Sequence, residues 1–144
     1  MAILTQLVER RGPLVTVAVS PDEKVAAKRR AARLPAITPH YCEALVDTGS
    51  SACLIGPEIV AALGLESTGM TALGTASTAG ERRPSRLFSV AITWTVGGRS
   101  MSMTVEAVES DLSDIGVGAL LGRDFLARCL LVYNGPSGEF TLSF

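Results

Sequence analysis

The residues best suited to chemistry in this sequence are Asp47, Thr48, Gly49 and Ser50, which lie within the stretch ALVDTGSSACLI. An apolar run leads directly into the Asp47 carboxyl group, and another begins at Ala52. Asp, Thr, Gly and Ser all favour turns, so the triplet alone fits an ordinary junction between a strand and a turn. The apolar flanks would bury that turn, however, and a buried carboxylate without a partner is costly. Asp47 is therefore either a turn residue or one half of a site.

Three other patterns point to different chemistries, and each is a weaker signal. The run GVGALLG at residues 116–122 has the wrong spacing for a dinucleotide-binding loop and follows no early strand–helix–strand unit. His40 is the single histidine, and the chain has no G-x-S-x-G elbow for a Ser-His-Asp triad. A zinc site from His40, Cys42 and Cys53 lacks the usual ligand spacing. We therefore expect neither a metal nor a cofactor.

The elements that must position Asp47 are predicted to be mostly short strands. PLVTVAVS alternates and is rich in Val and Thr, and YCEALVDT reads as a second strand. Residues 71–96 hold two extended segments around a tip of small residues, which predicts a long hairpin. Gly97-Gly98 marks a turn into an alternating strand, and the run Asn-Gly-Pro-Ser-Gly at 134–138 marks a closing hairpin.

Short helices are predicted beside these strands. Ser20 is a candidate N-cap, with Pro21 at the first helical position and Glu23 completing a capping box, for a helix at about 21–34. GPEIVAALGLE predicts a second helix, with proline near its start and glycine past its end. The first helix is strongly basic, through Lys24, Lys28, Arg29, Arg30 and Arg33. Such a run is usually a solvated face, and the alternative is a docking or nucleic-acid-binding role.

The composition is that of one globular domain over residues 1–144. Hydrophobic residues make up 47% and charged residues 19%, and the net charge of −1 gives no global attraction to nucleic acid or to an anionic membrane. Three cysteines without paired spacing argue against a disulfide framework, so reduced thiols and a cytoplasmic location are expected. The sequence has neither a stretch apolar enough to span a membrane nor a convincing signal peptide.

The order of these motifs resembles that of the retropepsin-type aspartic proteases, the single-domain homodimeric class that includes the retroviral enzymes. PLVTVAVS is similar to the strand before the catalytic hairpin of the family, and EALVDTGSSACLI to its catalytic strand and loop. LLGRDFL resembles the second signature, and FTLSF the C-terminal strand that builds the dimer interface. The resemblance covers nearly the whole chain. It implies an all-β, closed or partly open β-barrel with short helices, completed as a homodimer.

By position, the resemblance makes Asp47 the catalytic carboxylate, with one copy from each subunit forming the dyad. Thr48 would lock the two loops together, Gly49 would allow close approach, and Ser50 would donate to the carboxylate and favour an acidic activity optimum. The expected substrate-binding residues are Gly49, Ser51 and the flap-tip residues Ala76, Ser77, Thr78, Ala79 and Gly80. The expected structural signature is Leu121, Gly122, Arg123 and Asp124.

The chain departs from the retroviral pattern at three places. The basic helix at about 21–34 stands where those enzymes have a tight turn, and is expected at the periphery. Ser51 replaces the acidic residue that pairs with the signature arginine, so Asp124 or a backbone carbonyl is left as the partner of Arg123. An extra hairpin precedes FTLSF, which would widen the dimer sheet.

The resulting prediction is an aspartic endopeptidase that acts on peptide or protein substrates as a homodimer. It is expected to need no cofactor and to bind neither nucleic acid nor a membrane. One alternative is a non-catalytic dimeric peptide-binding or scaffold module with the same fold. Another is an adaptor in which the helix at 21–34 binds a partner and the protease core is incidental.

Overall fold

The structure is a computed structural model that describes residues 1–74 and 81–144, and it consists mostly of strands. Its elements, in chain order, are β1 (Ile3–Leu7), β2 (Leu14–Pro21), α1 (Glu23–Ala31), β3 (His40–Val46), β4 (Leu54–Ile55), α2 (Pro57–Leu63), β5 (Gly69–Gly74), β6 (Arg82–Val96), β7 (Arg99–Glu109), β8 (Ala119–Leu121), α3 (Arg123–Leu126), β9 (Leu130–Asn134) and β10 (Glu139–Ser143).

Six strands form a closed barrel in the order β2, β3, β8, β4, β7 and β6. The barrel closes because β2 pairs with β6 as well as with β3, with Val17 opposite both Trp94 and Cys42. β5 extends the sheet beyond β6. Closure removes the open edges of the six strands, which would otherwise be free to pair with other chains. The predicted all-β barrel with short helices is therefore confirmed.

The barrel core follows from the alternation along β6. Phe88, Val90, Ile92 and Trp94 are each almost completely buried, while the residues between them face outward or are partly exposed. Because side chains alternate across a strand, this one strand supplies a continuous apolar face. Burial of each such side chain contributes about 1.5–3 kcal/mol to the free energy that stabilises the folded chain.

A second, three-stranded sheet joins the two ends of the chain. β10 is its central strand, paired antiparallel with β1 on one side and β9 on the other. Phe140 and Leu142 on its inner face are completely buried in the main core, and the Trp94 ring packs edge-on against Phe144 at 5.1 Å between centroids. The predicted closing hairpin is confirmed as β9 and β10.

The predicted hairpins around the flap are also present in the described residues. β5 pairs antiparallel with β6 from Gly69 opposite Leu87 to Gly74 opposite Arg82. The expected flap tip, Ala76–Gly80, lies outside the described residues. Gly97 and Gly98 have φ angles of 56° and 75°, the left-handed values that a two-residue hairpin between β6 and β7 requires.

The start of the basic helix differs from the prediction. The N-cap of α1 is Asp22, whose Oδ1 accepts a 2.9 Å hydrogen bond from the Val25 N–H, so the predicted cap at Ser20 is wrong. The reason is that β2 continues through Pro21, which pairs with Val90 of β6. α1 buries no side chain, in agreement with its expected peripheral position.

The second helix was predicted with its correct ends. α2 runs over Pro57–Leu63, and Gly64 ends it in the left-handed conformation with φ of 59°. Ile59, Val60 and Leu63 are buried against the barrel. None of the helices within residues 1–74 and 81–144 is long and apolar enough to cross a membrane.

Candidate active site

Asp47 lies where the barrel strand β3 ends. Its backbone N–H donates to the Leu121 carbonyl of β8 at 3.0 Å, and the Val46 N–H donates to the Pro13 carbonyl at 2.9 Å. β3 and β8 run parallel here, so both strands deliver their carboxyl ends to the same rim of the barrel. The side chain of Asp47 is only partly buried at this rim, while Val46 before it belongs to the core. The rigid barrel therefore presents a carboxyl group that solvent or a substrate can reach.

The loop after Asp47 orients its carboxyl group. The Gly49 N–H donates to Asp47 Oδ1 at 2.8 Å, and the Ser50 N–H donates to the Asp47 carbonyl at 3.3 Å. An Asp side chain in such a loop commonly accepts a hydrogen bond from the backbone amide two residues further along the chain, which forms an Asx-turn. Thr48 and Gly49 are exposed, so the prediction that the apolar flanks bury this turn is wrong. Both residues are accessible to a second loop or to a substrate.

Ser50 does not have its expected partner. Its hydroxyl donates to the Ala52 carbonyl at 2.7 Å, and so holds the loop instead of the Asp47 carboxyl group. The Gly49 amide occupies the donor position that was predicted for Ser50. The predicted acidic activity optimum depended on a hydrogen bond from the Ser50 hydroxyl to the Asp47 carboxyl group. Because that bond is not formed, the prediction loses its structural basis.

The second signature lies directly against this loop. A Cβ atom on Gly122 would lie 2.4 Å from the Ala52 carbonyl oxygen, so only glycine fits here without moving the backbone. The Arg123 N–H donates to the Ser50 carbonyl at 2.9 Å, and Arg123 Nη1 donates to the Thr48 carbonyl at 2.8 Å. The partner of Arg123 is thus a backbone carbonyl, one of the two predicted alternatives.

Asp124, the other predicted partner, instead binds the end of the loop at Cys53. Its Oδ2 accepts from the Cys53 N–H at 3.0 Å, and its Oδ1 accepts from the Cys53 thiol at 3.1 Å and from the Phe125 N–H at 2.8 Å. Burial, followed by the neighbouring Asp124 carboxylate, raises the pKa of the Cys53 thiol, which keeps its proton and remains a donor. Residues 121–124 therefore form hydrogen bonds to both ends and to the middle of the loop 47–53.

Sequence reasoning treated Cys53 as a core thiol and as a weak candidate for a zinc ligand, and it missed this role. The two residues are 71 positions apart, and no local pattern links a cysteine to an aspartate at that distance. The tight turn at Gly122 was visible only as part of the second signature. Asp47, Gly122 and Arg123 were therefore selected from the sequence and their catalytic or structural roles stay predictions, whereas the pairing of Asp124 with Cys53 was not predicted.

The remaining predicted residues are Ser51, the flap tip and the candidate zinc ligands. Ser51 is exposed beside the loop, and the flap-tip residues 76–80 lie outside the described part of the chain. His40 begins β3, at the end of the strand away from Asp47. Within residues 1–74 and 81–144, no group of three or more His, Cys, Asp or Glu side chains is arranged to hold a metal ion.

Comparison with known proteins connects this geometry to one family. The sequence profile of a family described as aspartyl protease matches residues 39–125, which is more than half of the chain and includes both the Asp47 loop and the Gly122 turn. No curated protein sequence matches the chain.

Two solved structures are similar to the chain. A retropepsin-like aspartic protease from Rickettsia conorii has a TM-score of 0.56 and 15% identity, over 97% of this chain and 89% of that one. The retroviral protease-like domain of Ddi1 from Leishmania major has a TM-score of 0.44 and 11% identity, over 85% and 82%. The first of these likenesses confirms the retropepsin-like fold across almost the whole chain.

Proposed function

We propose that this chain, which belongs to the aspartyl protease family, is an endopeptidase whose active site is completed by a second copy of itself. The observation that carries this proposal is the single Asp-Thr-Gly loop, fastened to the barrel rim by the Gly122 turn with its carboxyl group accessible. Aspartic proteases activate water with two carboxyl groups that share one proton. One copy of this loop supplies only one of them.

The other aspartates of the chain support this need for a second copy. Asp22 caps α1, Asp111 accepts from the Ser113 N–H at 2.9 Å, and Asp124 is bound to Cys53. Asp114 is exposed in the turn that precedes β8. Each of these four aspartates thus has a position or a hydrogen bond that Asp47 does not have. The second catalytic carboxyl group is therefore assigned to the Asp47 of a partner.

The mechanism that we assign is general acid–base hydrolysis. One Asp47 is ionised and its mate is protonated, because two carboxylates at close range do not both stay charged. The ionised group takes a proton from a water molecule that attacks the scissile carbonyl, while the protonated group donates to the carbonyl oxygen. As the peptide bond breaks, the proton gained by the base passes to the leaving nitrogen, and the hydroxyl formed from the carbonyl oxygen returns its proton to the other carboxyl group. No step requires a metal or a cofactor.

The terminal sheet places a condition on this dimer. The resemblance assigned FTLSF to the intersubunit sheet, yet both edges of β10 are paired within its own chain. The outer face of this sheet is instead apolar and exposed at Ile3 (57%), Leu130 (60%) and Val132 (49%). These side chains project from the same face, because Ile3 and Leu130 both lie opposite Ser143. We therefore assign the dimer contact to this face or to the outer edges of β1 and β9.

The test is cleavage of a peptide library by the wild-type protein and by Asp47→Asn, with Asp114→Asn as the matched control. Asp47→Asn is expected to abolish cleavage and Asp114→Asn to retain it. A retained activity in Asp47→Asn would show that the assignment is wrong. Inhibition by a statine-type peptide, which mimics the tetrahedral intermediate, separates a protease from a peptide-binding module of the same fold.

The shared active site has its own test. Equal amounts of wild-type and Asp47→Asn chains, mixed and allowed to exchange, should retain about a quarter of the wild-type specific activity, because only dimers of two wild-type chains are active. Sedimentation of the active protein should give the mass of a dimer. Half of the activity in the mixture, or an active monomer, would contradict the shared dyad.

A further inference from the structure

Residues 111–117 form a loop between β7 and β8. Hydrogen bonds within the loop shape its turns, such as that from the Gly116 N–H to the Leu112 carbonyl at 3.0 Å. Across residues 1–74 and 81–144, a single hydrogen bond joins this loop to another segment, in which Arg11 Nη1 donates to the Gly116 carbonyl at 2.9 Å. Arg11 therefore supplies the polar contact that fixes the loop to the barrel.

The guanidinium of Arg11 is itself oriented by its surroundings. Its Nη1 also donates to Glu43 Oε2 of β3 at 2.9 Å, and its Nη2 donates to Glu9 Oε2 at 3.1 Å. The turn that carries it is closed by two backbone bonds between Glu9 and Gly12, of 3.1 and 2.9 Å. Because two carboxylates and a closed turn set its direction, the donor aimed at the Gly116 carbonyl has a defined position.

The apolar side chains of the loop pack beside the strand that carries Asp47. Leu112 and Val117 are almost completely buried, in a cluster that also contains the partly exposed Leu45 and Ile115. Since residues two apart on a strand share a face, Leu45 and Asp47 lie on the same side of β3, away from the barrel core. The loop therefore forms a wall beside the candidate catalytic carboxyl group.

We propose that Arg11 is a positioning residue for peptide cleavage, which holds residues 111–117 in place as a wall of the substrate cleft. The inference rests on the proposed endopeptidase function. Arg11 does not touch the reacting atoms, because its partner Glu43 lies four residues before Asp47, about 13 Å away along the chain. Its bond to the Gly116 carbonyl sets where the wall lies relative to Asp47, and so determines how well a substrate fits beside the scissile bond.

Loss of the Arg11 guanidinium should affect substrate binding more than folding or the chemical step. Leu112 and Val117 remain buried without it, so the loop should shift but not detach. Ion pairs as exposed as those of Arg11 contribute little to stability, so the melting temperature should change little. The Asp47 carboxyl group keeps its own hydrogen bond from the Gly49 N–H. A weaker fit with an intact carboxyl group raises KM and leaves kcat unchanged.

The kinetic test compares Arg11→Met with Arg30→Met. Arg30→Met is the matched control, because it removes another exposed ion pair, with Glu23 on α1, and changes the net charge equally. Arg11→Met should raise KM for peptide cleavage about three- to tenfold and keep kcat within about twofold. Arg30→Met should retain both constants. An unchanged KM in Arg11→Met, an equal rise in both variants, or a loss confined to kcat would overturn the proposal.

Amide exchange of the full chain, without substrate, tests the hold on the loop independently of activity. Exchange in residues 111–117, followed by mass spectrometry, should be at least about fivefold faster in Arg11→Met than in the wild-type protein, with no change in α2. Equal exchange in the loop would overturn the positioning role at any level of activity. A wild-type protein that cleaves no peptide would instead refute the endopeptidase function, and the catalytic part of the inference with it, while the exchange rates would still decide whether Arg11 holds the loop.

Discussion

Gly122→Ala tests whether the second signature determines the position of Asp47. The added Cβ would lie 2.4 Å from the Ala52 carbonyl oxygen and 2.5 Å from its carbonyl carbon, and both atoms are backbone. Ordinary contact begins at about 3.4 Å, so the loop after Asp47 must move away by about 1 Å. The φ of Gly122 is −83°, which any residue adopts, so the whole effect comes from this contact.

The shift has two consequences of different size. Crowding a well-packed site costs about 1–3 kcal/mol, which lowers the melting temperature of a domain of this size by roughly 2–12 °C. A displacement of about 1 Å at a catalytic group lowers the rate by on the order of a hundredfold. Gly122→Ala should therefore remain folded at room temperature and lose about two orders of magnitude in kcat/KM for peptide cleavage.

Gly64→Ala is the matched control for this variant. Gly64 ends α2 with φ of 59°, where alanine is strained by about 1–2 kcal/mol, but no atom lies within 4 Å of the added Cβ. Its melting temperature should fall by a similar amount, while kcat/KM of the folded protein is unchanged. If Gly122→Ala keeps the activity of Gly64→Ala, the close packing of the signature against the loop has no role in positioning Asp47.

Three further predictions concern individual groups. Asp124→Ala leaves buried donors without an acceptor and should lower the free energy of unfolding by about 2–3 kcal/mol in denaturant titrations, against less than about 0.5 kcal/mol for Asp114→Ala. Burial raises the pKa of Cys42 from 9.0 to about 11, so its alkylation by iodoacetamide near pH 8, followed by mass spectrometry, should be about a hundredfold slower than in the unfolded chain. The Val25 N–H lowers the pKa of Asp22 below 3.8, so the cap stabilises α1 above that pH and the stabilisation is lost as the pH falls through the lower folded-state pKa. Amide exchange across α1 should accelerate in acid, and Asp22→Ala, which removes about 1 kcal/mol of capping, should remove this pH dependence.

The elements predicted well are those whose signal is local. Alternating apolar residues defined β6 and β7, and the Gly97-Gly98 pair located the turn between them. The start of α1 was wrong because Pro21 pairs with Val90 of a distant strand, and this tertiary pairing extends β2 past the local helix signal.

The candidate site likewise combines features with a local sequence signal and contacts that only the folded chain defines. Asp47 and Gly122 could be proposed from the sequence because each belongs to a short motif, whereas the bonds between the motifs depend on three-dimensional packing. Ser50 had two acceptors within reach, the Asp47 carboxyl group and the Ala52 carbonyl, and only the folded loop decides between them. The contact of Asp124 with Cys53 joins two segments that meet because β8 lies between β3 and β4.

The loop that carries Asp47 is held by hydrogen bonds from its own chain, and this affects how a shared dyad would form. Residues 47–53 receive bonds from Leu121, Arg123 and Asp124 of the same chain, so the position of each Asp47 is set before any partner arrives. Because the fastening is internal, dimerisation would have to align two rigid loops and would not have to order them, which reduces its entropic cost. The internal pairing of β10 has the same consequence, since the strand pairs of the terminal sheet are also complete within one chain. Under the proposed dimer, the catalytic geometry would depend on how two preformed barrels meet, and substitutions on the outer face of the terminal sheet would alter activity through that alignment alone.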